Sequence, residues 1–215
     1  MKEIKYPIVE IFDSIEGEGK RAGEMAIFVR FAGCNLRCSY CDTSYALSVK
    51  DAVENLTKEE LIERIKTYPW RNITFTGGEP LLQPLKELII ELAKENYEIN
   101  IETNGSIKID TDLPCFYTMD FKCISSGECG KMLLSNFKKL RYTDVVKFVV
   151  GNKEDLEQAY KVSEEIPLWC KLYLSPVFGF APADIVDYMK MRKSSRFQLQ
   201  LQMHKYVWQP EMRGV

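Results

Sequence analysis

A chain of 215 residues, 46% hydrophobic and 28% charged, can bury a substantial core as one domain spanning 1–215. Its formal net charge of −2 gives no electrostatic footprint for nucleic acid or an anionic membrane, and no apolar run approaches the roughly 18 residues of a spanning helix. The opening Met1-Lys2-Glu3-Ile4-Lys5 lacks the apolar core of a signal peptide, and seven cysteines, an odd count, point to reduced thiols in the cytoplasm.

In chain order, residues 26–31 read as a strand that feeds a cysteine-rich loop. Thr57 and Glu60 are the two halves of a capping box, opening a helix whose apolar face includes Leu61, Ile62 and Ile65. Residues 72–76 form a short β-branched and aromatic strand running into Gly77-Gly78. Pro80 suits a first helical turn, and Leu81, Leu85, Leu88 and Leu92 follow at helical spacing. Strands are predicted over 98–102, 116–121, 145–150, 169–174 and 197–201. Helices are predicted over 153–165, with Leu156, Ala159 and Val162 inward, and near 182–191. This alternation predicts an α/β fold: a partial TIM-like barrel of about six mainly parallel strands, with chemistry at the strand C-termini. The connections 103–113 and 123–143 are too short or irregular for a full helical layer, so the coat is incomplete.

Cys34, Cys38 and Cys41 stand in the spacing C-x3-C-x2-C. Four-iron clusters are held by thiolates, normally four of them, so three alone suggest a cluster with one iron open. An open metal position marks catalysis. The same spacing would also put three small buried hydrophobes on one helical face, although Gly33, Asn35 and the Ser39-Tyr40 pair interrupt such a pattern. Cys115, Cys123, Cys129 and Cys170 have no tight mutual spacing; a second cluster on the first three is the weaker alternative. Gly77 and Gly78 allow either close approach of backbone to a ligand or a plain strand-to-helix turn. Gly17 and Gly19 alone fit a flexible turn. Arg30 fits a strand-end salt bridge, Thr43 a turn hydrogen bond, and His204, the only histidine, a structural position.

The run Cys34-Asn35-Leu36-Arg37-Cys38-Ser39-Tyr40-Cys41 resembles the radical S-adenosylmethionine (SAM) signature, with Tyr40 in its aromatic slot. Thr76-Gly77-Gly78-Glu79-Pro80 is similar to that superfamily's SAM-binding motif. The resemblance implies a [4Fe-4S] cluster on Cys34, Cys38 and Cys41. It also implies that SAM would chelate the open iron and be cleaved to a 5'-deoxyadenosyl radical. Ser14-Ile15-Glu16-Gly17-Glu18-Gly19, then Phe28-Val29-Arg30 and Ala32-Gly33-Cys34, then Cys41-Asp42-Thr43, resemble one family within it, 7-carboxy-7-deazaguanine synthase. The ending Gln202-Met203-His204-Lys205-Tyr206-Val207-Trp208 resembles that family too, so the likeness covers nearly the whole chain.

That family contracts the ring of 6-carboxy-5,6,7,8-tetrahydropterin to 7-carboxy-7-deazaguanine with loss of ammonia, in deazapurine and queuosine biosynthesis. The resemblance therefore implies a lyase with SAM and Mg2+ as further cofactors. Ile15, Glu16, Gly17 and Glu18 would read the pterin's pyrimidine edge, Glu16 standing where Gln is common. Arg30 would hold the substrate carboxylate, a pairing that a planar guanidinium suits. Thr76 and His204 would also contact substrate, and Thr43 would give its hydroxyl to magnesium. Tyr40, Gly77, Gly78, Glu79, Glu102, Asn104, Asp120 and Lys122 would contact SAM, and the terminal segment through Val215 would cover the site. A flavodoxin or ferredoxin-type electron donor and a homodimer complete the expectation. A glycyl-radical enzyme activase shares the cysteine motif but leaves the segment 16–19 unexplained. A non-enzymatic iron–sulfur or zinc module would need a fourth Cys.

Overall fold

Nine strands form one sheet: β1 (Tyr6–Ile15), β2 (Met25–Phe31), β3 (Glu54–Leu56), β4 (Asn72–Gly77), β5 (Glu98–Thr103), β6 (Phe116–Lys122), β7 (Val145–Val150), β8 (Lys171–Pro176) and β9 (Phe197–Leu199), in the order β3-β1-β2-β4-β5-β6-β7-β8-β9. The computed structural model describes residues 4–215. Met1, Lys2 and Glu3, part of the segment read for a signal peptide, lie outside the described residues. Six successive parallel pairings join β2 to β9, so the parallel run has seven strands, one for each of the seven segments read as strands and close to the expected count of about six. β1 pairs antiparallel with β2 and β3. Neither flanking strand stood out in the sequence, because β1 carries Pro7 and a register shift between Ile8 and Glu10, while β3 is only three residues long.

Alternation along the central strands sorts side chains onto two unlike faces. Val29, Phe75, Ile101, Met119, Phe148 and Leu174, from successive strands, are buried on the outer face. They share one apolar core with Leu61, Leu88, Leu156 and Ile185 of helices α1 (Lys58–Lys66), α2 (Lys86–Lys94), α3 (Lys153–Ser163) and α4 (Pro182–Arg192). Burying each such side chain contributes about 1.5–3 kcal/mol. The inner face is polar instead, with Arg30, Thr76, Glu102, Asp120, Lys147 and Ser175 in the alternate positions. Parallel sheets ordinarily carry helices on both faces. Here the helical coat covers one face, and it is incomplete even there. Between β5 and β6 there is no helix, and between β6 and β7 only short 3-10 turns.

Local signals set most boundaries. Thr57 and Glu60 form the reciprocal capping box that starts α1. The leucine spacing after Pro80 is misleading: Pro80–Leu82 is a single 3-10 turn, and α2 begins only at Lys86. Pro84 forces Gln83 into extended backbone (ψ 151°), breaking the predicted continuous helix. β8 starts at Lys171, leaving Trp169 59% exposed ahead of it.

The open barrel is closed across its polar side by residues 16–19. The Gly19 N–H donates to Gln200 Oε1 at 2.7 Å, and Gln200 Nε2 donates back to the Gly19 carbonyl at 2.9 Å. The Met203 N–H donates to the Gly17 carbonyl at 2.9 Å. This strap forms the floor of the space between the sheet and the C-terminal segment.

Candidate active site

Above that floor lies a cavity of about 540 Å³, within the range of small-molecule sites. Its walls are the polar inner positions of β2 and β4–β7. Its rim is the cysteine loop, and residues 210 and 212–215 of the C-terminal segment also line it.

The cysteine loop, 34–41, has no regular helix, so the one-helical-face alternative does not apply. Cys34, Cys38 and Cys41 are half-buried free thiols lining the cavity, whereas Cys115, Cys123, Cys129 and Cys170 do not line it. Burial pushes the Cys38 and Cys41 thiols above the ordinary range, a bias that coordination to iron reverses. Among the described residues no group of three His, Cys, Asp or Glu side chains is arranged around a single ion. A four-iron cluster makes no such demand, since it spreads its thiolates over different irons. Three thiols on one rim, without a fourth in the cavity, fit a cluster with one open corner.

The glycine turn is built against this loop. A Cβ on Gly78 would lie 2.0 Å from the Gly33 carbonyl oxygen, so only glycine lets the two backbones meet. The Gly78 N–H donates to the Phe31 carbonyl at 3.0 Å, and the Glu79 N–H to the Gly33 carbonyl at 2.8 Å. Gly77 and Gly78 themselves line the cavity. Glu79 does not: its fully buried carboxylate accepts the Leu81 N–H (3.0 Å), the Thr103 hydroxyl (2.9 Å) and the Asn104 N–H (2.7 Å). The expected contact of Glu79 with SAM gains no support from this placement: the carboxylate lies outside the cavity and braces Asn104. The Asn104 side chain reaches Asn35 Oδ1 at 3.0 Å and Cys34 Sγ at 3.8 Å.

Paired charges line the walls and the strap. Lys147 Nζ lies 2.5 Å from Glu18 Oε1 and 3.0 Å from Asp120 Oδ1, and Lys122 Nζ lies 3.1 Å from Asp120 Oδ2. Glu18 also accepts from Ser175 Oγ (3.2 Å) and Gln202 Nε2 (3.3 Å). Glu16 Oε1 is taken by Arg21 at 2.8 Å and by the Thr74 hydroxyl, which leaves less of this carboxylate for a ligand than the sequence suggested. Glu102 accepts from Thr76 Oγ1 at 2.8 Å. Burial pushes its carboxyl up to about 7; Lys147 opposes this, while Glu16, Glu18 and Asp120 reinforce it.

Ile15, Gly17, Arg30, Tyr40, Thr43 and His204 also line the cavity. Arg30 Nε donates to Glu10 Oε1 at 2.6 Å, and the Tyr45 hydroxyl donates to the same oxygen at 3.1 Å. The Thr43 hydroxyl donates to Asp42 Oδ1 at 3.0 Å. A Cβ on Gly17 would lie 2.0 Å from His204 Nδ1. Burial lowers the His204 pKa, so the imidazole is neutral near neutral pH. Sequence reasoning missed Lys147, Arg21, Glu10 and Gln200. Lys147 had a signal, as the one charge inside the apolar run Val145-Val146-Lys147-Phe148-Val149-Val150; the other three had none.

Residues 28–111 match the radical SAM superfamily. A 7-carboxy-7-deazaguanine synthase of Clostridium acetobutylicum is 43% identical, covering 99% of this chain and 100% of that protein. The chain belongs to the 7-carboxy-7-deazaguanine synthase family. The family's members in Methanospirillum hungatei (40% identical, 94% of this chain and 86% of that protein) and Leptospira interrogans (34%, 100% of both) agree. The crystal structure of QueE from Escherichia coli shares the fold, with a TM-score of 0.77 over 93% of this chain and 95% of that one, at 24% identity. Membership in the synthase family makes this a radical SAM enzyme using a [4Fe-4S] cluster and SAM, and sets aside the activase and the non-enzymatic module. Among the described residues no helix is long and apolar enough to cross a membrane.

Anaerobic reconstitution of this synthase is expected to load about four irons per chain. Ala at Cys34, Cys38 or Cys41 should abolish loading, and Ala at Cys115 or Cys170 should not. Full iron content in the triple variant would reject these ligands.

A pH dependence follows from Glu102. The folded chain keeps its proton up to about 7, whereas the unfolded chain releases it in the ordinary carboxylate range. Its stabilising contribution is full below that range and is lost as pH rises through about 7. Glu79, also pushed up to about 7 by burial against its backbone and hydroxyl donors, acts in the same direction. The melting temperature of the ligand-free protein should fall from about pH 5 to about pH 8, and fall less in Glu102→Gln. An identical slope in that variant would contradict the assignment.

Proposed function

We propose that this chain converts 6-carboxy-5,6,7,8-tetrahydropterin to 7-carboxy-7-deazaguanine with release of ammonia, in deazapurine and queuosine biosynthesis. The observation that carries this reading is one cavity lined together by Cys34, Cys38 and Cys41, by Glu16 and Glu18 of the strap, and by Arg30 of β2. When bound at the rim, the cluster and SAM supply a 5'-deoxyadenosyl radical for hydrogen abstraction at C6 of the pterin.

The chain's own residues bind and orient. Backbone at Gly77 and Gly78 would meet SAM, with Tyr40, Glu102, Asn104, Asp120 and Lys122 as its further contacts. Carboxylates at Glu16 and Glu18 accept from the pterin's amino and ring N–H donors. Thr76 and His204 flank the ring, the neutral imidazole supplying one donor and one acceptor. Arg30 binds the substrate carboxylate, and Thr43 gives its hydroxyl to Mg2+, a hard ion that keeps several waters. Glu102 is a proton-holding group inside the cavity. A flavodoxin or ferredoxin-type protein supplies the electron, and the chain works as a homodimer in the cytoplasm.

The direct test is mass analysis after anaerobic incubation of the iron-loaded enzyme with SAM, dithionite, Mg2+ and the pterin. Appearance of 7-carboxy-7-deazaguanine is expected; SAM cleavage without that product would overturn the substrate. Thr43→Ala should weaken magnesium activation while leaving SAM cleavage competent, and Thr43→Ser should restore it. A magnesium dependence unchanged in the Ala variant would remove Thr43 from the metal.

Arg30 gives a sharper contrast. A charge-assisted bond is worth about 1.5–3 kcal/mol, so Arg30→Ala should weaken binding of the carboxylated pterin by roughly ten- to a hundredfold. Arg30→Lys should recover little, because an ammonium lacks the two-pronged geometry. A pterin without the carboxylate should bind almost as before. Equal weakening of both ligands would assign Arg30 to its Glu10 pair alone.

A further inference from the structure

Cys38 stands between two residues that are tied to the same neighbouring segment. The Arg37 N–H donates to Glu128 Oε1 at 2.7 Å. The Ser39 N–H donates to the Ser126 carbonyl at 3.0 Å, and the Ser39 hydroxyl to the Ser125 carbonyl at 2.7 Å. The segment that receives these bonds consists of two short 3-10 turns, Ile124–Ser126 and Cys129–Lys131. It has little apolar anchorage of its own. Ile124 is 47% exposed, and the buried positions in the segment, Ser126 and Glu128, are polar.

Its anchorage comes from α3. Asp155, wholly buried in the first turn of that helix, accepts the Ser125 N–H at 2.9 Å, the Ser125 hydroxyl, and the Gly151 N–H at 2.8 Å. One turn on, Gln158 Oε1 accepts the Ile124 N–H at 2.8 Å. A continuous set of bonds thus runs from the helix through Ser125 to Ser39 and the backbone beside Cys38. Partners behind a metal ligand fix its orientation, and their loss typically lowers metal affinity about 10- to 100-fold.

We propose that Asp155 is a positioning residue for the cluster loop: acting through Ser125 and Ser39, it holds Cys38 at its place relative to Cys34 and Cys41 and so retards loss of iron. This rests on the reading that those three cysteines carry the cluster. Asp155 does not line the cavity. Its effect on the reaction is indirect, by keeping the three cysteines preorganised.

The test uses the iron-loaded enzyme, well below its melting temperature, with an excess of iron chelator. The decay of cluster absorbance is followed for wild type, Asp155→Asn, Ser39→Ala and the double variant, alongside the magnetic resonance spectrum of the reduced cluster and the melting temperature. Asp155→Asn should shorten the cluster half-life by about tenfold and broaden the spectrum. Ser39→Ala, which leaves α3 untouched, should act in the same direction with an unchanged melting temperature. Because both act along one path, the double variant should decay more slowly than the product of the two single effects predicts. Unchanged decay in Asp155→Asn, or strictly multiplicative effects, would overturn the proposal by reducing Asp155 to a helix-stabilising residue. Should Asp155→Asn fail to fold, Ser39→Ala and Ser125→Ala, which removes the hydroxyl bonded to Asp155, carry the test, and wild-type decay in both would overturn it. A wild-type chain that takes up no iron would instead defeat the cluster reading itself.

Discussion

The polar interior depends on one ammonium group. Lys147 is a charged residue inside an apolar strand, 4% exposed, and moving such a group out of water costs several kcal/mol unless it is paired. Burial works against its charge, but Asp120, Glu18 and Glu102 outweigh it, so the group stays protonated well above the ordinary lysine range. The pairing has a structural consequence beyond neutralisation. Glu18 belongs to the strap that crosses the open barrel, and Asp120 to the next strand of the sheet. Through Glu18 the same charge is linked to Ser175 on β8 and Gln202 in the C-terminal segment. Without that pairing, the strap would be left with an unpaired carboxylate facing the sheet.

The glycines in the strap follow from this closure. With His204 Nδ1 where a Gly17 side chain would begin, backbone at 17 packs directly under the imidazole. The sequence made the two glycines visible but not their purpose, since the partners Gln200, Met203 and His204 come from the opposite end of the chain. The same limit hid the pairing of Glu18 with Lys147, 129 positions apart. Periodicity within a short window could find the strands, the helix caps and the cysteine trio, because those are local. It could not show that Glu16 already had an arginine, since Arg21 stands in a turn with no pattern of its own. It misread Leu81 and Leu85 as helical because leucine spacing does not register the break that Pro84 imposes.

The cysteine loop and the glycine turn, about 40 residues apart in the chain, are physically one piece. Gly78 packs on Gly33, and Glu79 holds the Asn104 backbone while the Asn104 side chain approaches Cys34. A buried carboxylate with two backbone N–H partners and one hydroxyl partner is specific about where those donors lie. Glu79 therefore has a structural reason for its place in the motif: it fixes the ends of β4 and β5 relative to the cysteine rim. The cavity wall and the cluster rim are registered by this contact.

Arg30 shows how a structural and a binding reading can describe the same residue. Its Nε is engaged by Glu10, and Glu10 is itself fixed by the Tyr45 hydroxyl. A guanidinium has five N–H donors in a planar fork, and the Glu10 contact uses only the one on Nε. The terminal nitrogens remain for a second carboxylate in the cavity. Holding the fork by its stem removes the freedom that a ligand would otherwise have to freeze out, so the existing salt bridge makes a two-pronged contact cheaper rather than competing with it. Partial neutralisation by Glu10 weakens long-range attraction for anions, yet leaves the directional bonds intact. The proposed carboxylate selectivity of this site is thus one of hydrogen-bond geometry more than of net charge, which agrees with a cavity in which Glu16, Glu18, Asp120, Lys122 and Lys147 are already in ion pairs.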